Sequence, residues 1–345
     1  ILSQWQASFD NTFGGPNRSP KFMMPNTISY LLRKAKQSKD TGLLQYVTTT
    51  LNKMAYGGIY DHIGGGFSRY SVDKKWHVPH FEKMLYDNAQ MVSLYSNAYL
   101  ATKDNLYKEV VTQTLAFVAR ECTNSEGAFY SSFDADSLTQ DGDLEEGAYY
   151  VFTKEELTKE LGEDVELFST YYNINSFGLW ENNHYVLIRS KSDPEVCAAF
   201  GITNQELQNK KEAWRKALLS YRNKRDKPRL DDKILTSWNG LMLKGYVDAY
   251  KAFQEPAYLQ AALKNAHFIK SKQWQTSGAL FHSHKDGKST INGYLEDYAA
   301  VIDAFIGLYE ITLDDQWLLI ANELTSYTYG HFFDSEKQLF YFTND

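Results

Sequence analysis

The chain has 345 residues, with 36 Lys and Arg against 43 Asp and Glu and a net charge of −7. With no basic cluster, this balance argues against a nucleic-acid partner, and no apolar run approaches the ~20 residues of a membrane span. Two distant cysteines, Cys122 and Cys197, give no disulfide framework, zinc pair or dithiol, so no metal or cofactor is implied and a reducing, cytoplasmic compartment is expected.

The first residues, Ile1-Leu-Ser-Gln-Trp-Gln6, carry no basic region or cleavage site. The stretch 1–9 reads as the end of an outer helix, cut from a longer chain. A helix over 25–38 follows, then Asp40, Leu43 and the glycine-rich Gly57-Gly-Ile-Tyr60. The next helix, 82–101, is apolar nearly all round through Met91, Val92, Leu94, Tyr95, Ala98 and Tyr99, so it is expected to be buried. Its successor, 105–121, is amphipathic: Leu106, Val110, Val111, Leu115 and Val118 share a face against Lys108, Glu109, Gln113 and Arg120. The connection 123–235 is too long for a loop. It holds strand signals at 128–131, 149–152 and 184–188 and helical patterns near 153–171 and 203–222. The segment 138–230 is expected to be an insertion packed over one rim. Buried helices return at 236–253 and 295–312, and the chain closes on a strand motif, Leu339-Phe-Tyr-Phe342.

Three segments superpose without gaps, opening at Asp87, Trp238 and Asp297. Tyr99, Tyr250 and Tyr309 stand at one repeat position. Asp104, Glu255 and Asp314 stand at the next, each suited to cap the following helix. Pro256 fits a first helical position. Self-similarity of this grain marks a repeat architecture. Tight turns join each buried helix to an amphipathic one, and long connections (57–81, 123–235, 272–294) lead back. Residues 1–345 are therefore expected to form a single incomplete α/α barrel, with four inner helices and every long loop on one rim. Such loops are where function concentrates.

The run Gly57-Gly-Ile-Tyr-Asp-His-Ile-Gly-Gly-Gly-Phe-Ser-Arg-Tyr-Ser-Val-Asp73 followed by Trp76-His-Val-Pro-His-Phe-Glu-Lys-Met-Leu-Tyr-Asp-Asn-Ala89 closely resembles the YyaL-type, spermatogenesis-associated thioredoxin-like protein family. The resemblance extends through Pro20-Lys-Phe22, Phe133-Asp-Ala-Asp-Ser137, Glu145-Glu-Gly147, Asp231–Met242 and Leu295–Ala299. It implies an all-α fold, an (α/α)6 toroid of the six-hairpin glycosidase and sugar 2-epimerase type, attached in the full-length protein to a thioredoxin-like domain. Neither that redox domain nor the barrel's closing hairpins are expected within these residues.

Within this frame the catalytic candidates are His80, Glu82, Asp87 and Asp297. A histidine at a helix N-terminus is suited to remove a proton α to a sugar carbonyl, with Glu82 orienting it. The duller reading has His80 and Glu82 capping the helix and Pro79 setting its entry. Asp87 and Asp297 share a repeat position, and paired carboxylates serve glycoside hydrolysis; the alternative is a first-turn acid that complements its helix dipole. Expected substrate contacts are Lys21, Tyr70, Trp76, Asp134, Asp136, Trp238, Asn239 and Tyr298, with Trp238 as a stacking platform. Gly64-Gly-Gly66 lacks the context of a phosphate loop and reads as a tight turn. His282 and His284 lie outside the matched motifs and make a weak case. The leading expectation is a carbohydrate-directed isomerase, epimerase or glycosidase; the competing one is a non-catalytic ligand- or protein-binding scaffold serving the redox domain.

Overall fold

In the computed structural model, residues 2–139 and 141–344 are described, which leaves Ile1 of the predicted stub outside. The helices in chain order are α1 (Leu2–Gln6), α2 (Pro25–Ser38), α3 (Thr41–Tyr56), α4 (Leu85–Thr102), α5 (Asn105–Phe117), α6 (Lys154–Leu161), α7 (Val165–Tyr171), α8 (Asp193–Phe200), α9 (Asn204–Arg222), α10 (Thr236–Phe253), α11 (Pro256–Phe268), α12 (Leu295–Thr312) and α13 (Asp315–Phe332). The chain divides into two compact units, one of residues 1–83 with 133–229, the other of 84–132 with 230–345.

In the first unit α2 and α3 form a helical hairpin whose turn is set by Asp40, its carboxylate accepting from Leu43 N at 2.9 Å. All of the predicted insertion 138–230 except its last residue belongs to this unit. Its helices α6 to α9 enclose a core of Phe152, Leu157, Phe168, Tyr171, Trp214 and Leu218, each nearly or fully buried. Burial of each such side chain contributes roughly 1.5–3 kcal/mol. Thr153 and Thr203 open α6 and α9 with reciprocal capping boxes to Glu156 and Glu206. A three-stranded antiparallel sheet of Lys21–Phe22, Tyr70–Ser71 and Pro79–His80 orders the long 57–81 connection.

The second unit is three helical hairpins, α4–α5, α10–α11 and α12–α13, with α10 packed between α4 and α12. Each inner helix ends on a left-handed residue, Lys103, Gln254 or Leu313, and an acid then begins the outer helix. The Asp104 and Asp314 side chains accept from Leu106 N and Gln316 N, while Glu255 stands before Pro256 without a side-chain cap bond. The three inner helices run parallel. Tyr86 meets Trp238 and Ser237 meets Asp297 at their N-terminal ends, while Tyr99 meets Phe253 and Lys251 meets Glu310 at their C-terminal ends. Their shared interior holds Leu94, Tyr95, Met242, Leu243, Val301 and Leu308, all fully buried.

The repeat reaches into irregular structure. The outer helix predicted over 105–121 stays α-helical to Phe117 and finishes as a π-turn, Val118–Cys122; α11 finishes the same way over Ile269–Gln273. Each π-turn leads into a single bridge, Thr123 with Phe129 and Trp274 with Leu280, turning on a glycine at φ +90°, Gly127 or Gly278. Asn239 pins the first of these segments, accepting from Phe129 N at 2.8 Å and donating to Phe129 O at 3.0 Å. Thr236 Oγ1 donates to Phe281 O, tying down the second, where Ile234–Leu235, Phe281–Lys285 and Lys288–Asn292 form an antiparallel sheet. Both crossovers of this unit therefore gather at the N-terminal ends of its inner helices.

Candidate functional site

Two polar assemblies in the first unit contain motif residues. His80 lies on the strand Pro79–His80, and its Nδ1 donates to Glu146 Oε1 at 2.7 Å, with Glu82 Oε2 3.7 Å from Nε2. Arg69 Nη1 in turn holds Glu82 at 2.9 Å, and the Tyr70 ring stacks on the imidazole with centroids 5.0 Å apart. Both premises attached to His80 and Glu82 require correction. Neither side chain caps α4, which begins at Leu85 after Met84 with no side-chain cap bond, so His80 does not stand at a helix N-terminus. It is instead a half-buried imidazole between two carboxylates, at a site where water screens the charges.

The second assembly is sealed. Asp61 receives Lys83 Nζ at 2.8 Å and both terminal nitrogens of Arg222 at 3.0 and 2.9 Å, and the side chains of the three are 8%, 1% and 3% exposed. Burial pushes the Asp61 pKa up, but the Arg222 and Lys83 charges outweigh it and hold the carboxyl well below its ordinary range. The predicted tight turn is part of this assembly. Asp61 Oδ1 accepts from Ile63 N and Gly64 N, Gly65 and Gly66 take φ of +81° and +85°, and a Cβ on Gly64 would stand 2.1 Å from Arg222 Nη2. The Tyr149 and Tyr150 rings cover the guanidinium. Nearby His62 is buried against Gly57 O, and burial drives its pKa down to about 3, leaving the ring neutral.

In the second unit the N-terminal halves of α10 and α12, with Tyr86 of α4, line a groove of about 480 Å³. Its lining is Tyr86, Ser237, Trp238, Leu241, Glu296, Ala299, Ala300 and Asp303. Gly240 lets the two helices close up, since a Cβ there would stand 2.9 Å from the Ala300 carbonyl carbon. Trp238 and Tyr86 meet edge to face at 4.9 Å, one ring wall of the groove. Ser237 is 4% exposed, and its Oγ has no hydrogen-bond partner among the described residues.

Beside this groove Asp297 is fully buried and fully used. Its Oδ1 accepts from Ser237 N at 2.7 Å; its Oδ2 accepts from Tyr294 N at 2.8 Å and from His282 Nδ1 at 2.9 Å. A carboxylate has no proton to give, so Nδ1 carries the hydrogen and the neutral ring keeps its lone pair on Nε2. The Asp297 hydrogen bond raises the His282 pKa; partial burial opposes this, and the Asp297 and Glu296 charges add to it. Asp297 is therefore a positioning carboxylate, not a carboxylate presented to substrate as predicted.

Other predicted residues also take different posts. Lys21 is sealed in the interior, donating to Asp10 Oδ2 and Gly14 O at 2.7 Å each. Trp76, fully buried at φ +64°, donates from Nε1 to Phe13 O. Asn239 is the buried clamp on Phe129, and the buried Tyr298 hydroxyl accepts from Leu280 N. These four are buried, and none of them lines the groove. Tyr70 stacks between Phe22 and His80. Asp134 pairs with Arg229 at 3.0 Å, and Asp136 lies opposite Glu146 on an exposed hairpin. Asp87 sits buried in the first turn of α4 and is absent from the groove lining. Trp238 alone of the candidates lines the groove. Sequence reasoning did not single out the groove residues Tyr86, Ser237, Glu296 and Asp303, nor the contact of His282 with Asp297. A signal existed for two of them, because Glu296 and Asp303 are acids seven apart, on one face of a largely apolar helix.

No family model matches the chain. Spermatogenesis-associated protein 20 of Homo sapiens is 34% identical, covering 97% of this chain and 47% of the relative. The Mus musculus protein of that name is 33% identical over 92% and 44%. This chain is their homologue. The resemblance to the spermatogenesis-associated family thus holds over nearly the whole sequence, and the chain spans about half the length of the curated relatives it matches. Among solved structures, a glycoside hydrolase family 76 mannosidase of Bacteroides thetaiotaomicron superposes with TM-score 0.54 at 11% identity, covering 99% of this chain and 73% of that one. An inactive variant of an α-1,6-mannanase of Salegentibacter, in complex with α-1,6-mannotetrose, gives 0.53 at 14% identity, covering 92% and 67%. The fold is of the six-hairpin glycosidase type: helical hairpins with short antiparallel strand pairs, four hairpins lying among the described residues. Among those residues no helix is long and apolar enough to cross a membrane.

Proposed function

We propose that this chain is a carbohydrate-directed protein whose sugar site is the groove of the second unit, with His282 as its proton-transfer group. The carrying observation is the groove itself. A half-buried indole flanked by a second ring offers the flat apolar face on which a pyranose stacks, and Ser237, Glu296 and Asp303 offer the polar partners its hydroxyls need. The Asp297–His282 pair, joined to the groove through the Asp297–Ser237 hydrogen bond, favours isomerase or epimerase chemistry over hydrolysis. Paired-carboxylate hydrolysis needs carboxylates open to the glycosidic bond, and both Asp297 oxygens are taken. An imidazole fixed through Nδ1 can take the proton from the carbon α to an open-chain sugar carbonyl on Nε2 and return it to either face, with no net redox change.

His80, set between Glu82 and Glu146, remains a second acid–base candidate, favoured by its exposure and its two carboxylate neighbours. The family resemblance and the half-length match support a full-length protein in which a thioredoxin-like domain accompanies this one. The test is a calorimetric titration with mono- and disaccharides, paired with NMR detection of deuterium entering the sugar from heavy water. Binding lost in Trp238→Ala and exchange lost in His282→Asn are expected. Exchange lost only in His80→Ala would transfer the chemistry to the first unit. Binding without any exchange would favour a ligand-presenting scaffold, and indifference to every sugar would sink the carbohydrate reading.

A further inference from the structure

The charges of the groove are one-sided. Glu296 and Asp303 are its only charged lining residues, both exposed, on one face of α12. Ala299 and Ala300 leave the space between them open. Lys244, one turn beyond Leu241 on α10, does not line the groove, because its ammonium is held by both Asp248 oxygens at 2.7 Å. The opposite wall is two aromatic rings, whose faces attract cations as well as stacking on sugars. Ser237 supplies an independent sign of an occupant: it lines this space, is more than nine-tenths buried, and its Oγ has no partner among the described residues. A buried hydroxyl left unpaired is costly, and a ligand that reaches it removes the cost.

We infer that the groove is selective for a sugar carrying a protonated amine, an amino sugar in its free-base-derived ammonium form, and discriminates against uronic acids. This rests on the groove being a sugar site, and it names the class of sugar. Two carboxylates and two ring faces stabilise an ammonium on the pyranose, whereas a sugar carboxylate would meet like charge without a compensating cation. The shared chemistry, an organic ammonium, could also come from a simple amine, so the test includes one.

Calorimetry on the full chain at low salt compares glucosamine, glucose, N-acetylglucosamine, glucuronate and ethanolamine. Glucosamine is expected to bind ~10-fold more tightly than glucose or N-acetylglucosamine, with glucuronate weaker than both. That advantage should shrink with added salt. In the Glu296→Gln, Asp303→Asn double variant the ratio of glucosamine to glucose affinity should fall to about one, whatever the loss in glucose affinity itself; both positions are exposed, and circular dichroism confirms the fold. Trp238→Ala should weaken every sugar. Equal binding of glucosamine and glucose by the native chain, or tighter glucuronate, overturns the inference while leaving the sugar site standing. Ethanolamine matching glucosamine overturns it in favour of a plain amine site. Absence of binding by any of the four sugars overturns the sugar site and the inference together.

Discussion

Each unit holds a buried aspartate, and the two differ in what surrounds the carboxylate. Asp61 is met by two cations and two backbone N–H groups, and aromatic rings cover its Arg222 partner, so its oxygens are spent on structure. Asp297 also spends both oxygens, but one of its three donors is an imidazole whose far edge is left for other work. The first arrangement locks a turn; the second aims a side chain. A buried carboxylate thus marks function only through what its partner can still do, and burial alone does not distinguish the cases.

The largest effect should separate them on stability. Asp61→Asn strands two buried cations and is expected to cost ~3–5 kcal/mol in chemical denaturation, while Lys83→Met, which leaves Asp61 paired with Arg222, should cost only ~1–2 kcal/mol. Equal losses would mean the assembly does not act as a charge-compensated unit. His282→Asn should lower hydrogen exchange on a bound sugar by ~100-fold or more with ~1 kcal/mol lost in stability; a reversed ratio would make that pair structural as well.

The pH dependence sharpens the same contrast. His282 has a raised pKa, so the stability its charged form gains from Asp297 is full below 6.5 and fades as pH rises through the elevated value. Turnover that needs the neutral base should rise over that same window, moving opposite to stability, as paired melting and exchange measurements would show. Asp61 has a depressed pKa, so its contribution is present above 3.8 and is lost only as pH falls through a lower value. Asp61→Asn should therefore lower the neutral limb of a stability profile by a constant amount and flatten its acid limb. The smallest effect is expected at His80. Its ion pairs are partly exposed, so His80→Ala should change stability by ~1 kcal/mol or less in thermal melts.

Much of this protein could be read without coordinates. The spans 25–38, 236–253 and 295–312 match α2, α10 and α12 to the residue, because helical spacing of apolar residues bounded by turn residues is a local pattern. The repeat at Asp87, Trp238 and Asp297 likewise exposed the hairpin architecture. The repeat did not show which of these positions are open. Asp87 and Asp297 share one repeat position, yet both are buried and neither lines the groove, while Trp238 does.

Motif membership was no guide to exposure: Lys21, Trp76, Asn239 and Tyr298 stand in matched segments yet are buried and hold backbone or an ion pair. Sequence by itself determined the helices and their pairing into hairpins, since periodicity, caps and repeats act over a few turns of chain. Tertiary structure alone decided which polar groups are spent and which are open, because Ser237, His282 and Asp297 lie far apart along the chain and meet only when the helices pack. Hydrogen bonds between such groups depend on distances in space, and no spacing along the sequence encodes them.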